Sequence, residues 1–251
     1  MKKIIALIIL ISSFAQAQVY EVEYETLIKV KYSEKAISEF NGVQNSEKKS
    51  LAAKYEKTSP YNYKFIFNEK EANAIEEKKI YNSQDDGSVV SMVAPYLSNG
   101  FLLLNQDKME NYFHFDEGKK FNVASKIPIV DWKITNEEKE LLGYKTLKAT
   151  ADYDNSKIAI WFTPSIATKL SVVTLNSPNG LILEMIVDKI DENGSTFHST
   201  YQAKSVKFNK TGKIEYLKKG KEIDLESFVN MMEDLYNKQR QLNNTNVDKS
   251  N

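Results

Sequence analysis

Two histidines, His114 and His198, are the only imidazoles in this 251-residue chain, and it contains no cysteine. A serine hydrolase needs an imidazole within reach of its hydroxyl, so one of these two would have to act as the base. His198 stands among Ser195, Thr196, Ser199 and Thr200, but neighbours along a strand point to opposite faces. Neither histidine is expected to be catalytic. The two could share a metal only if their strands paired and a carboxylate joined them. The absence of cysteine removes thiolate nucleophiles, thiolate metal sites and disulfides.

Other chemistry is thinly represented. No glycine-rich phosphate loop, G-x-S-x-G elbow, H-E-x-x-H helix or EF-hand loop is present. The acidic pairs Asp85-Asp86 and Asp191-Glu192 lack the alternating spacing of calcium ligands and read as solvated hairpin tips. No metal or cofactor is therefore expected. The chain carries 34 basic and 34 acidic residues, which leaves no electrostatic footprint for nucleic acid. The run Lys218-Lys219-Gly220-Lys221 reads as a solvated loop.

The elements that must position any site are mostly strands. Tyr20, Val22, Tyr24, Ile28, Val30 and Tyr32 alternate with Glu21, Glu23, Glu25, Lys29 and Lys31, as a long half-buried strand requires. Tyr61, Tyr63, Phe65 and Phe67 mark a second strand. The structure of the polar insert 33–59 between them, broken at Asn41-Gly42 and Asn45-Ser46, is left open, with Ser50-Leu51-Ala52-Ala53-Lys54 as a candidate start of a short helix or strand. Glu69 to Ser98 is acidic, then small and polar, with a turn at Asp85-Asp86-Gly87. Asn99-Gly100 introduces Phe101 to Leu104, and Tyr112 to Phe115 follows. Later strands are expected at Asp131 to Thr135, Tyr144 to Asp152, Lys157 to Thr163, Leu181 to Ile190 and Phe197 to Phe208, with Asp191-Glu192-Asn193-Gly194 as a hairpin between the last two. Only the end changes period. Leu225, Phe228, Val229, Met232, Leu235 and Tyr236 recur at three and four, with Asp224 placed as the cap, which predicts a helix from Leu225 to Gln241. Met231 and Met232 are read as core packing rather than a soft-metal or partner site.

The fold class expected is mainly β: a strongly curved antiparallel sheet or sandwich with the C-terminal amphipathic helix packed against it. If this encloses a binding site, an apolar groove is expected beneath the helix.

At the N-terminus, Lys2-Lys3, the apolar run Ile4 to Phe14 and Ala15-Gln16-Ala17 predict a secretory signal peptide over 1–17, cleaved after Ala17. No later stretch approaches the roughly 20 apolar residues of a spanning helix, so no transmembrane anchor is expected. With no cysteine at the cleavage point, no lipid anchor is expected either. The expected location is periplasmic or secreted.

One stretch carries a family resemblance. "DWKITNEEKELLGYKTLKATADYDNSKIAIWFTPSI", Asp131 to Ile166, followed by "SPNGLILEM", resembles the motif order of the GLPGLI family of secreted Gram-negative bacterial proteins. Matching positions are Trp132, Ile134, Glu138, Leu142, Gly143, Tyr144, Ala149, Trp161, Phe162, Thr163, Pro164, Gly180, Leu181 and Ile182. The usual cysteine is Thr146 here, and the eponymous loop is spelled Ser177-Pro178-Asn179-Gly180. The resemblance implies a single β-rich domain over 18–242, with a polar tail at 243–251. As binding positions it points to Trp132, Tyr144, Trp161, Pro178, Asn179 and Gly180. It also implies an exported, non-enzymatic accessory protein that docks on an outer-membrane β-barrel transporter of the TonB-dependent kind or delivers a peptide or metal to it. The alternatives are a periplasmic carrier of lipid or lipoprotein, or a hydrolase using His114 or His198. Read physically, the motif is a turn feeding a central strand: Pro178 fixes φ, Asn179 and Gly180 can take positive φ, and the run from Leu181 to Val187 suits a strand buried on both faces.

Overall fold

A computed structural model describes residues 19–39, 44–56, 60–77, 101–116 and 118–247. The expected leader and the turn signals at Asn41-Gly42, Asp85-Asp86-Gly87 and Asn99-Gly100 lie outside the described residues. The chain begins with β1 (Val19–Lys31), two short helices α1 (Glu34–Ser38) and α2 (Asn45–Tyr55), and β2 (Pro60–Phe67). Four strands follow, β3 (Glu71–Glu77), β4 (Phe101–Asn105), β5 (Glu110–Asp116) and β6 (Lys120–Lys126). A second group comprises β7 (Lys133–Leu141), β8 (Tyr144–Tyr153), β9 (Ser156–Thr163), β10 (Leu181–Ile190) and β11 (Thr196–Asn209). Edge strand β12 (Lys221–Asp224) leads into α3 (Leu225–Val247).

Among the described residues all twelve strands join one open sheet in the order β12-β6-β5-β4-β3-β2-β1-β11-β10-β9-β8-β7. Every pairing is antiparallel except β12 on β6, so the expected mainly β fold is found, with one parallel edge. Strand β1 is the seam between two meanders, pairing with β2 on one side and β11 on the other.

The alternation in β1 does what its pattern requires. Val22, Tyr24, Ile28 and Val30 are buried, while the other face carries Glu21 and Glu23, with Lys64 3.5 Å from Glu21 and Lys207 2.9 Å from Glu23. Such exposed pairs contribute little stability; the buried row supplies it. The inner face of the β2 to β6 meander forms the larger core, with Phe65, Phe67, Leu104, Phe113 and Val123. Ile166, Leu170 and Val172, from the segment between β9 and β10, lie against it. Leu181 and Leu183 of β10 join the same cluster, and the Tyr24 hydroxyl donates to the Ile182 carbonyl at 2.5 Å, so the sheet curls to bring β10 over β1.

That buried hydroxyl has a pH consequence. Burial pushes the Tyr24 ionisation far above the usual tyrosine range. The folded protein therefore keeps a proton that the unfolded chain releases near pH 10, and the unfolded state gains as pH rises further. Stability should be insensitive to this group below about pH 10 and fall above it. Tyr24→Phe should lose about 1–3 kcal/mol at neutral pH, because the buried Ile182 carbonyl loses its donor, and should shallow the alkaline decline. Denaturant midpoints measured across the pH range check both expectations.

Several elements differ from the sequence reading. The insert 33–59, which the sequence left open, holds α1 and α2, the latter including the Ser50 to Lys54 stretch, with Ser33 capping α1 through its hydroxyl, which accepts from Ala36 N at 3.1 Å. Strands β3, β6 and β12 were not expected, and β7 runs from Lys133 to Leu141 where a strand from Asp131 to Thr135 was expected. As a sheet edge, β7 leaves its charged side chains in water, so Glu137, Glu138 and Glu140 cost it little. The helix extends to Val247, beyond Gln241 and into the stretch expected as tail. Asp224 caps it as expected, its carboxylate accepting from Ser227 N at 2.8 Å. Phe228 fills the space beneath the helix, edge-on to Phe113 and Phe115, so the groove expected there is occupied by packed rings. Met231 and Met232 pack against the same core.

Strand β10 also departs from its reading. A bulge between Ile182 and Glu184 falls in a run of three consecutive buried residues, with Leu181 and Leu183 in the larger core and Ile182 in the second cluster. Beyond it Ile186 is only partly covered and Asp188 exposed, so the strand is not buried on both faces along its length.

Candidate functional site

A cleft of about 370 Å³ lies where the segment joining β6 to β7 meets the turn before β10. Its lining includes Ile129, Trp132, Ile134, Pro178 and Asn179, with the Lys169 side chain at the rim. Asn176 holds the two segments together. Its side-chain Oδ1 accepts from Val130 N at 2.6 Å, its Nδ2 donates to Val130 O at 3.2 Å, and its carbonyl accepts from Trp132 Nε1 at 3.0 Å. The indole is thus fixed in place, with part of its ring against the second core cluster of Ile160, Phe162 and Met185. Ile129 is 67% exposed and Ile134 55%, so two large aliphatic side chains face water on either side of a pinned tryptophan.

The turn itself is closed tightly. Ser177 donates its hydroxyl to the Gly180 carbonyl and its N–H to Lys169 O at 2.8 Å. Asn179 takes the left-handed conformation at φ 57°, as expected, whereas Gly180 does not. Gly180 is required for a different reason: a Cβ there would sit 2.5 Å from the Thr163 carbonyl oxygen.

The structure divides the remaining sequence-derived positions. Trp132, Pro178 and Asn179 meet in the cleft, with Gly180 buried behind it. Trp161 faces the other side of the sheet, beside Glu184, with Lys139 Nζ 4.3 Å above its ring and 2.9 Å from the Glu184 carboxylate. Tyr144 packs half-buried against the larger core, and Thr146 is fully buried with its hydroxyl donated to Lys139 O at 2.8 Å. Asn176 and Ile129 were not singled out by sequence reasoning, and Ile134 stood there only as a motif-matching position, not as a binding one. The available signal was a pair of isoleucines flanking a tryptophan at odd spacing in a stretch with little regular structure.

The histidines do not meet. His114 is on β5 and His198 on β11, five places apart in the sheet. His198 Nδ1 lies 2.6 Å from Asp188 Oδ1, and both side chains are largely exposed. Register places Lys29 and Asp188 opposite His198, and Lys157 opposite Asp188, so the pair belongs to a charged row on the outer face. Ser199 faces the inner side. His114 Nδ1 is 2.7 Å from Asn122 Oδ1. Asp191 accepts from Asn193 N and Ser195 N, which makes its turn the expected hairpin tip. Among the described residues no group of three or more His, Asp or Glu is placed to hold a metal, and no helix is long and apolar enough to cross a membrane.

Fold and cleft together define a mainly β domain with a partly apolar cleft. The chain belongs to the family described as the N-terminal domain of N-glycanase peptide, whose model matches residues 55–229. Among solved structures it is similar to PNGF-II in space group P21, at 17% identity and TM-score 0.48, covering 86% of this chain and 33% of that one. The C2 form gives 18% identity and TM-score 0.48, covering 86% of this chain and 32% of that one. The LolA superfamily protein NE2245 from Nitrosomonas europaea is 8% identical with TM-score 0.30, covering 82% of this chain and 89% of that one. The chain therefore spans about a third of the length of PNGF-II. No curated protein matches it.

Proposed function

We propose that this chain is an exported, non-catalytic binding protein of the cell envelope, and that the cleft around Trp132 is where it engages its partner. The observation that carries this reading is the exposure of Ile129 and Ile134 beside a tryptophan whose orientation Asn176 fixes. Exposed aliphatic side chains around a pinned aromatic have the composition of an interaction anchor. The partner class is an outer-membrane β-barrel transporter, on which the domain docks or to which it delivers a ligand. The GLPGLI-like motif order, which falls on β7 to β10 and the turn between them, supports this assignment. The family name attaches the domain to an N-glycanase; on our reading this domain recognises rather than cuts. The placement of both histidines in polar pairs away from the cleft supports that.

Crosslinking of the full chain in the native envelope, followed by identification of the partner, tests the proposal. A membrane β-barrel should be captured, and Ile129→Asp should weaken capture at least about tenfold, the scale of losing one anchor. Release of N-glycans from a denatured glycoprotein by the wild type, abolished by His198→Ala or His114→Ala, would replace this reading with an enzymatic one.

A further inference from the structure

The cleft around Trp132 has one charged group in its lining, and nothing in the protein answers it. Met109, Ile129, Trp132, Ile134 and Pro178 supply the apolar surface, and Lys169 is the only ionisable residue among those that line it. Lys169 is exposed, and its ammonium makes no ion pair among the described residues. The neighbouring charges do not serve it: Asp131 lies outside the lining, and Lys133 lines a different concavity. The other polar groups of the cleft are mostly taken up. Both ends of the Asn176 side-chain amide bond the Val130 backbone, and the Ser177 hydroxyl bonds the Gly180 carbonyl. What remains is the exposed Asn179 side chain and the Lys169 ammonium, which can only donate.

The backbone that carries this ammonium is held from both sides. Lys169 N donates to Gln106 Oε1 at 2.7 Å, and Lys169 O accepts from Ser177 N at 2.8 Å. Gln106 is fixed in turn by the turn between β2 and β3: its Nε2 donates to Glu69 O and its N to Lys70 O, both at 2.7 Å. The cation is therefore tethered at a set place beside the Ser177 to Gly180 turn.

A partner that covers the cleft takes that ammonium out of water. Burying a charge without a counter-charge is costly, so a matched partner must bring an anion to it. Resting on the reading of the cleft as a docking site, we infer that the segment seated there is a polypeptide in which a bulky aliphatic side chain neighbours a carboxylate. The aliphatic group lies against Trp132 and Ile129, and the carboxylate accepts from Lys169 Nζ. Lys169 is the residue that sets specificity: it admits an acidic segment and excludes a basic one.

Calorimetric titration of the full chain with acetyl-Ala-Leu-Asp-Leu-Ala-amide, and with the same peptide carrying Asn or Lys at its centre, tests this. The aspartate peptide should bind and shift the indole N–H resonance of Trp132, one of two tryptophans in the chain. The asparagine and lysine peptides should bind at least about tenfold more weakly, the scale of one charge-assisted hydrogen bond. Lys169→Glu should reverse the order in favour of the lysine peptide, and Lys169→Arg should keep the original order. Equal binding of the three peptides, binding of none, an order unchanged in Lys169→Glu, or tighter binding of octanoate than of the aspartate peptide would overturn the inference. Its failure is separable from that of the docking reading. Capture of a membrane β-barrel alongside equal peptide affinities would leave docking in place without the carboxylate. Charge-selective peptide binding with no barrel captured would leave the carboxylate site in place without that partner.

Discussion

Gly180→Ala is expected to destabilise the protein by about 3 kcal/mol, although it adds one carbon. The new Cβ would stand 2.5 Å from the Thr163 carbonyl oxygen and 2.7 Å from Cδ2 of Phe162. Neither can yield cheaply. Thr163 ends β9 and is paired with Leu181, and Phe162 is buried in the second core cluster. The overlap must move backbone at the one place where the chain turns from the cleft into β10. Gly143, in the two-residue hairpin between β7 and β8, supplies the contrast. Its φ is 79°, but nothing lies within 4 Å of an added Cβ, so Gly143→Ala should cost only the local strain, about 1 kcal/mol. At about 2–4 °C per kcal/mol for a chain of this size, calorimetry should show a larger drop in Tm for Gly180→Ala. Equal losses would mean that the close approach is absorbed.

Phe65→Ala is expected to cost about 3–5 kcal/mol. Phe65 is fully buried on β2, its ring stacked on Phe67 with centroids 5.0 Å apart. On β3 the residues opposite Phe65 and Phe67 are Ala74 and Ala72. Small side chains there make room for the two rings and have no reach to refill a void, so the cavity stays open. A lowered urea midpoint with unchanged slope is the expected signature; a loss below about 1 kcal/mol would show that the core collapses around the vacancy.

The same alanines explain why β3 was not legible in the sequence. "EANAIEE" has neither β-branched alternation nor rings, and its burial is dictated by the phenylalanines next door. Asn73, fully buried, is satisfied by a reciprocal pair of bonds to the Glu215 backbone, at 2.9 and 2.7 Å, from 142 residues away. Nothing local announces such a partner. By contrast, β1, the Asp191 hairpin and the Asp224 cap were readable because their causes are local: alternation, a turn carboxylate, a helix start. The cleft was half legible. Trp132, Pro178 and Asn179 stood out by type, but the Asn176 clamp joins residues 46 apart and follows from tertiary packing. Trp161 stood out equally and lies on the opposite side of the sheet, because residue type does not reveal which face a strand turns inward.

The seam at β1 also governs the order in which the molecule can assemble. Both meanders, β2 to β6 and β7 to β11, are built largely from hairpins of near neighbours, whereas β1 pairs with β11 from Val19 opposite Asn209 to Lys31 opposite Thr196. Closing that ladder means closing a loop of more than 160 residues, an entropic toll that grows with loop length. Ribbons formed early from local contacts should therefore wait on one slow, non-local zipper. Refolding should show hairpin amides protected from exchange well before those of β1, and the rate of the last phase should follow substitutions along the β1 to β11 seam.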